Sequence, residues 1–326
     1  MTRKKTILIF GISGFVGSNL ANILKHEYRI IGTYFNNHTK INGILTFRCD
    51  LLNKNEVKLL MLAFNPDIVI YAAGAPGINE CAENEEYADA LNTGGLVNVL
   101  EFTHRCNSQL FFISTAHVFS GADKVFSELD RPDPNTTYGK TMAAAEFFIH
   151  KNCLNYKIIR ACKLYGRSNG YRETFFEKMQ RSFLRGEARV FDSKIKFGFL
   201  DINYLGFVIK ELLNFEVKNR IFQLSSSDVM TLYEFGKNYA EIFNEEESLI
   251  SSGKLRFPVT KDYNSKVDEI DHIYHIDNIN LEGFLDLKMP SVKESLNFTY
   301  KYLNGAPASG QENVKEAKDK ENKDSI

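Results

Sequence analysis

A chain of 326 residues is too long for one minimal domain and suits one large α/β unit or two interlocked lobes. Its 40 Lys and Arg against 41 Asp and Glu leave a net charge of −1, which argues against a nucleic-acid or polyanion binder. A content of 44% hydrophobic and 25% charged residues excludes a mainly disordered chain.

Thr6 to Phe10 is a short apolar run closed by Gly11, the pattern of a buried parallel strand. Phe15 to His26 carries apolar residues at helical spacing. Tyr28 to Tyr34 and Ile44 to Phe47 read as the second and third strands. Asn53 to Phe64 is helical, with Asn53 as N-cap and Glu56 as its box partner. Ile68 to Ala72 is a fourth strand, Glu83 to Arg105 one long helix, and Leu110 to Ser114 a fifth strand. Tyr138 to Lys151 is a helix and Lys157 to Ala161 a sixth strand. Further on, Asn203 to Asn214 reads as a helix, Ile221 to Leu224 as a strand, and Leu232 to Phe243 and Val292 to Leu303 as helices. Strict alternation of strand and helix implies right-handed crossovers and a doubly wound parallel sheet. From Gly305 the composition cannot build a core, so 305–326 is expected to be a disordered charged tail. The five cysteines, Cys49, Cys81, Cys106, Cys153 and Cys162, are odd in number and form no C-x-x-C pair. Neither a disulfide framework nor a zinc site is expected, and a reducing cytoplasm fits. No apolar run approaches the roughly 18 residues of a membrane span, and the basic start Met1 to Lys5 leads into a strand and turn, not a signal-peptide core.

Between the first strand and first helix lies Gly11-Ile12-Ser13-Gly14-Phe15-Val16-Gly17. The first glycine permits a tight turn, the second a close backbone approach to a pyrophosphate, and the third close helix–strand packing, with the helix N-terminus facing the anion. At the first strand–helix junction of a βαβ unit this spacing points to a dinucleotide, NAD or NADP. The residue that would choose between them, at the end of the second strand, is neither acid nor arginine: Thr33-Tyr34-Phe35-Asn36-Asn37 leaves the choice open, with His38 and Lys40 as weak phosphate partners.

Further motifs are Cys49-Asp50-Leu51, Ala72-Ala73-Gly74, Ser114-Thr115-Ala116-His117-Val118-Phe119-Ser120-Gly121, Tyr138-Gly139-Lys140, Arg160 to Gly166, Phe199-Leu200-Asp201 and Tyr233-Glu234-Phe235. With the glycine loop they resemble the extended short-chain dehydrogenase/reductase superfamily, most of all the dTDP-4-dehydrorhamnose reductase family, over roughly residues 6 to 303. The resemblance implies a Rossmann-type doubly wound sheet with a small C-terminal substrate lobe. Residues 1–165 would form the dinucleotide-binding domain, completed by about 198–224, and 166–197 with 225–304 the substrate lobe. It implies reduction of a 4-keto nucleotide sugar by a nicotinamide cofactor. Gly11 to Gly17 and Ala72 to Gly74 would line the cofactor, Asp50 with Leu51 would meet the adenine, Asn92 would help order the cleft, and Thr115 and Tyr138 would face the ketone. Hydride arriving at a ketone carbon makes an alkoxide; a phenol can give it a proton and a hydroxyl can hold the oxygen.

The superfamily's lysine four residues after the tyrosine lowers the phenol's pKa and binds the cofactor ribose. Here that position is Met142. Lys140 lies about 200° round the helix and should point away. A charge about 5 Å away at an effective dielectric near 20 is worth roughly 3 kcal/mol, so the tyrosine should be about a hundredfold weaker as an acid. The family's S-T-D-Y-V-F also becomes Ser114-Thr115-Ala116-His117-Val118-Phe119. His117 could titrate near neutral pH and donate to sugar or phosphate. Lys163, where relatives carry an uncharged residue facing the substrate, could supply the missing charge, bind a substrate phosphate, or be a solvated strand-end lysine. Three readings stay open: a reductase with an altered proton relay; a silent nucleotide-binding regulator working through a protein partner or homodimer, for which the resemblance implies a precedent because close relatives of the reductase family include the regulatory subunit of methionine adenosyltransferase; and an epimerase or dehydratase. Glu83, Glu85 and Glu86 read as a solvated helix start and not a metal site. Phe175 and Phe176 read as core, Arg160 as an internal strut, and Arg167 and Arg181 as weak diphosphate candidates.

Overall fold

The computed structural model describes residues 3–75, 77–168, 172–254 and 272–305. The tail expected from 305 therefore lies, from 306 onward, outside the described residues. Strand β1 (Thr6–Phe10) is buried at every position, as expected of a central parallel strand covered on both faces. It is followed by α1 (Phe15–Leu24), β2 (Arg29–Tyr34), β3 (Leu45–Arg48), α2 (Lys54–Phe64), β4 (Ile68–Tyr71) and β5 (Gln109–Thr115). With the strands Tyr156–Ala161 and Arg220–Leu224 these make a seven-stranded parallel sheet. Its spatial order is β3, β2, β1, β4, β5, then Tyr156–Ala161 and Arg220–Leu224. The order reverses between β1 and β4, which opens a crevice beyond their carboxyl ends.

The period-2 alternation of the strands sorts the core. Leu8 and Phe10 face one layer with Val57, Met61, Leu96 and Ile149. Ile7 and Ile9 face the other with Leu20, Leu24, Leu205 and Ile209. A third cluster gathers Tyr165, Phe176, Met179, Phe235, Tyr239 and Leu296 around the C-terminal helices. Each such side chain fully buried contributes about 1.5–3 kcal/mol. Short ladders complete the fold. A four-stranded sheet runs Met230–Thr231, Lys196–Phe197, Ile273–Ile276, Val125–Phe126, and two-stranded pairs join Phe199–Asp201 to Lys163–Tyr165 and Ile250–Gly253 to Arg189–Asp192.

Three expectations need correction. The single helix from Glu83 to Arg105 is instead a broken run that begins at Ile78. It stops at Asn84, whose side chain caps Glu85–Asp89, passes through one π-helical turn at Ala90–Gly94, and resumes as Gly95–Arg105. At α2, Asn53 caps the helix by accepting from Asn55 N and Glu56 N. Glu56 does not complete the box: its carboxylate accepts from the Asp50 backbone N–H and the Asn53 side chain instead. The third strand also lies one residue later than read, at Leu45–Arg48.

Candidate functional site

The glycine loop turns at the carboxyl end of β1. Gly11 has φ +86°, and a Cβ there would lie 2.7 Å from the Ala72 carbonyl oxygen. A Cβ on Gly17 would collide with the Gly11 carbonyl, so the first helical turn packs directly on the loop. Ile12 N–H donates to the Thr33 carbonyl and Gly14 N–H to the Gly11 carbonyl. Gly14 is the N-cap of α1 and offers no side chain to the first turn. The N–H groups of Phe15, Val16 and Gly17 thus have no intrahelical acceptor, beside an exposed Gly14 and a half-buried Ser13. This is a cradle for an anion at a helix N-terminus, and its residues fit a dinucleotide pyrophosphate.

Ala72 follows β4, its N–H bonded to the Phe10 carbonyl. Beside Ala72–Gly74, Asn92 sits on the π-turn, 1% exposed, and both ends of its amide are engaged. Oδ1 accepts from Ala75 N at 2.7 Å and Nδ2 donates to Thr141 Oγ1 at 2.9 Å. Thr141 Oγ1 in turn donates to the Tyr138 carbonyl at 2.9 Å. Asn92 therefore ties the turn after β4 to the helix that carries Tyr138. Thr141 is a member that sequence reasoning missed; its signal was a hydroxyl three residues after the tyrosine. Asp50 is half-buried and accepts from Leu52 N, and Leu51 is buried against the same core.

The helix Thr137–Asn152 is capped by Thr136, whose side chain accepts from Gly139 N. Its first turn presents Tyr138, packed against Ala75 and Cys81. The phenol faces the Thr115 hydroxyl, at the end of β5. Burial pushes the Tyr138 pKa up to about 12, Cys81 adds to the rise, and the nearby Thr115 hydroxyl opposes it. No cation among the described residues acts on the phenol. Met142, one turn on, is buried in the core, and Lys140 is exposed.

His117 departs from expectation. Its ring centre lies 4.5 Å from that of Tyr274, 5.6 Å from Phe197 and 6.0 Å from Tyr138. Burial, with the nearby Lys163 charge, pushes its pKa down to about 3, so it does not titrate near neutrality. Lys163 is not a solvated strand end. Its ammonium lies 5.1 Å from the Phe175 ring centre and 5.3 Å from that of Phe197, and burial lowers its pKa. It acts on His117 and not on Tyr138, so it does not replace the missing lysine.

Arg160 is the internal strut expected of it. It is 2% exposed and pairs with Glu146 at 2.7 Å, while Ser114 donates to the same carboxylate. Glu85 is more than a solvated helix start, because Thr137 Oγ1 donates to it at 2.9 Å. Of Phe175 and Phe176, only the second is fully buried. Arg181 pairs with Glu173 on the surface, and Arg167 is exposed with its carbonyl accepting from Asn19. One cation near the cofactor end escaped notice: Arg48, in register with Tyr34, lies 4.9 Å over the Phe35 ring. Among the described residues no cluster of His, Cys, Asp and Glu could hold a metal ion, and no helix is long and apolar enough to cross a membrane.

A reversed-order parallel sheet, a glycine cradle at β1 and a Tyr–Thr pair at the end of β5 define a Rossmann-type protein of the extended short-chain dehydrogenase/reductase class. Within that class, residues 5–278 match the family described as RmlD substrate binding domain, and the chain belongs to it. It is dTDP-4-dehydrorhamnose reductase-like. It is 24% identical over 264 residues to methionine adenosyltransferase 2 subunit beta of Bos taurus, covering 78% of this chain and 75% of that one. It is 27% identical over 170 residues to dTDP-4-dehydrorhamnose reductase of Salmonella typhimurium, covering 52% and 54%. The fold is shared with the crystal structure of dTDP-4-dehydrorhamnose reductase from Bacillus anthracis in complex with NADP. There the TM-score is 0.75 at 22% identity, over 91% of this chain and 99% of that one.

Proposed function

We propose that the chain is an NAD(P)-dependent reductase of a 4-keto nucleotide sugar, with Tyr138 as proton donor and Thr115 holding the ketone oxygen. The observation that carries this reading is the Tyr138 phenol set with the Thr115 hydroxyl beside the turn after β4, where burial keeps the phenol protonated well above neutral pH. Gly11 to Gly17, Ala72 to Gly74, Asp50 and Leu51 hold the cofactor, which supplies a hydride when bound. Tyr138 Oη gives its proton to the oxygen that becomes the product hydroxyl, and takes another from solvent. Asn92 and Thr141 hold the phenol's helix at its distance from the turn after β4. The cation Arg48 beside the β2 end favours a 2′-phosphate, hence NADP over NAD.

The high pKa also gives the site a direction. An alkoxide, with a conjugate acid near that of water at about 15.7, takes a proton from such a phenol downhill. Oxidation of a sugar alcohol needs the phenolate, which a pKa of about 12 leaves at roughly one part in 10⁵ at pH 7. Epimerases and dehydratases begin with that oxidation and fit less well. A second reading, a binding subunit in a larger protein assembly, is favoured by buried Met142, which offers no ammonium to a cofactor ribose. The test follows NADPH and NADH absorbance with a dTDP-4-keto-6-deoxyhexose as the limiting reagent, for the native protein and Tyr138→Phe. Turnover is expected from the native protein, with a loss of about 100-fold or more in the variant. Tight NADPH binding without turnover would replace the reductase with the binding subunit.

A further inference from the structure

We propose that the Lys163 ammonium is a recognition point for an anionic oxygen that the substrate carries close to its reacting carbon. The inference rests on the substrate cleft proposed above. Lys163 opens the strand Lys163–Tyr165, just past the sheet strand that borders β5. Its Nζ faces the Phe175 and Phe197 rings; Phe197 contacts His117, and His117 contacts Tyr138. Ammonium and phenol therefore lie along one continuous wall of side chains, with a single imidazole between Phe197 and the proton donor.

What the ammonium lacks is an anion. No Asp or Glu among the described residues acts on it, and none of their acceptors takes its protons. The adjacent Cys162 thiol is pushed up to about 12 and His117 down to about 3, so both are neutral at working pH. Aromatic faces attract the charge without satisfying its N–H donors. Rings on two sides strip a half-buried ammonium of part of its hydration, and a charge-assisted hydrogen bond to an incoming carboxylate or phosphate restores what was removed. Two parts of a nucleotide sugar could bring that oxygen: a carboxylate on the sugar ring or the phosphate nearest the sugar.

Titration calorimetry separates them, using UDP-glucuronic acid, UDP-glucose and UDP, with dTDP-glucose to check the base, on native protein, Lys163→Met and Lys163→Arg. Lys163→Met is expected to weaken UDP-glucuronic acid by about 10- to 100-fold, and Lys163→Arg to recover most of that. If the other probes keep their affinity, the oxygen is the sugar carboxylate; if they weaken equally, it is the phosphate. Unchanged affinity of Lys163→Met for every probe overturns the inference and leaves the nucleotide-sugar cleft standing. Failure of the native protein to bind any probe removes the cleft, and the inference with it. The thermal midpoint of Lys163→Met should stay level or rise, because an uncompensated charge has gone. A large fall would show the ammonium to be structural, and would also overturn the inference.

Discussion

His117 sits among Tyr138, Phe197 and Tyr274, and its imidazolium would surrender hydration while facing the Lys163 ammonium. Its folded pKa of about 3 lies below the ordinary histidine value near 6.5, so the neutral ring is the folded form. The stability this contributes is complete above pH 6.5 and is lost as pH falls from there toward 3, at about 1.4 kcal/mol per pH unit. Between pH 7 and pH 5 that is about 2 kcal/mol, and denaturant unfolding of His117→Phe should show a drop smaller by that amount. An equal drop in variant and native protein would mean that the ring is not held neutral. Tyr138 works in the opposite range. Its folded pKa is raised to about 12, so its contribution is present below pH 10 and fades as pH climbs from 10 through 12. The sequence marks both residues as cleft members but not how they are dehydrated, because the rings around His117 come from Phe197 and Tyr274 and the packing of Tyr138 from Ala75 and Cys81, all far off in the chain.

At the scale of elements, the glycine loop is where reading and structure agree best, because its constraints are local. Gly11→Ala would add a Cβ at φ +86° and 2.7 Å from the Ala72 carbonyl. It should cost at least about 2 kcal/mol of stability and weaken NADPH binding in titration calorimetry. A variant as stable as the native protein would show that the loop can open. The Glu146–Arg160 pair ties the Tyr138 helix to the sheet strand behind it and is 2–3% exposed on both sides. Glu146→Ala strands a buried guanidinium and should cost about 3–5 kcal/mol by chemical denaturation, with Glu146→Gln costing less. A loss below 1 kcal/mol, roughly that of a surface pair, would contradict the burial. What the sequence hid is equally specific. A helical pattern read straight through Glu83 to Arg105 does not register the cap at Asn84. Nor does it register the π-turn that aims Asn92 at Ala75 and Thr141, since one extra residue in a turn leaves the apolar spacing nearly intact. The two- to four-residue strands carrying Phe197 and Tyr274 are too short for any periodicity.

For the whole molecule, the alternation of strands and helices was enough to read the sheet, and the reversal of strand order between β1 and β4 places the cleft. The covering ladders were not legible, because they join segments far apart in sequence, such as Lys196–Phe197 with Ile273–Ile276 and Phe199–Asp201 with Lys163–Tyr165. Since the cradle is built from the centre of the sheet, bound cofactor should stabilise the entire chain. NADPH at about 100 times its Kd should add about 2.7 kcal/mol and raise the thermal midpoint, and an unmoved midpoint would contradict the cradle. The central claim, that Tyr138 is a proton donor deprived of its cation, is tested most directly by running the reaction backward. The rate of NADP reduction by the sugar alcohol product, measured from pH 7 to pH 10 on native protein and Met142→Lys, reports the phenolate. In the native protein the rate should climb about tenfold per pH unit with no plateau, as a pKa of about 12 requires. In Met142→Lys the curve should bend at a pH about two units lower. A native rate that levels off near neutral pH would contradict the account.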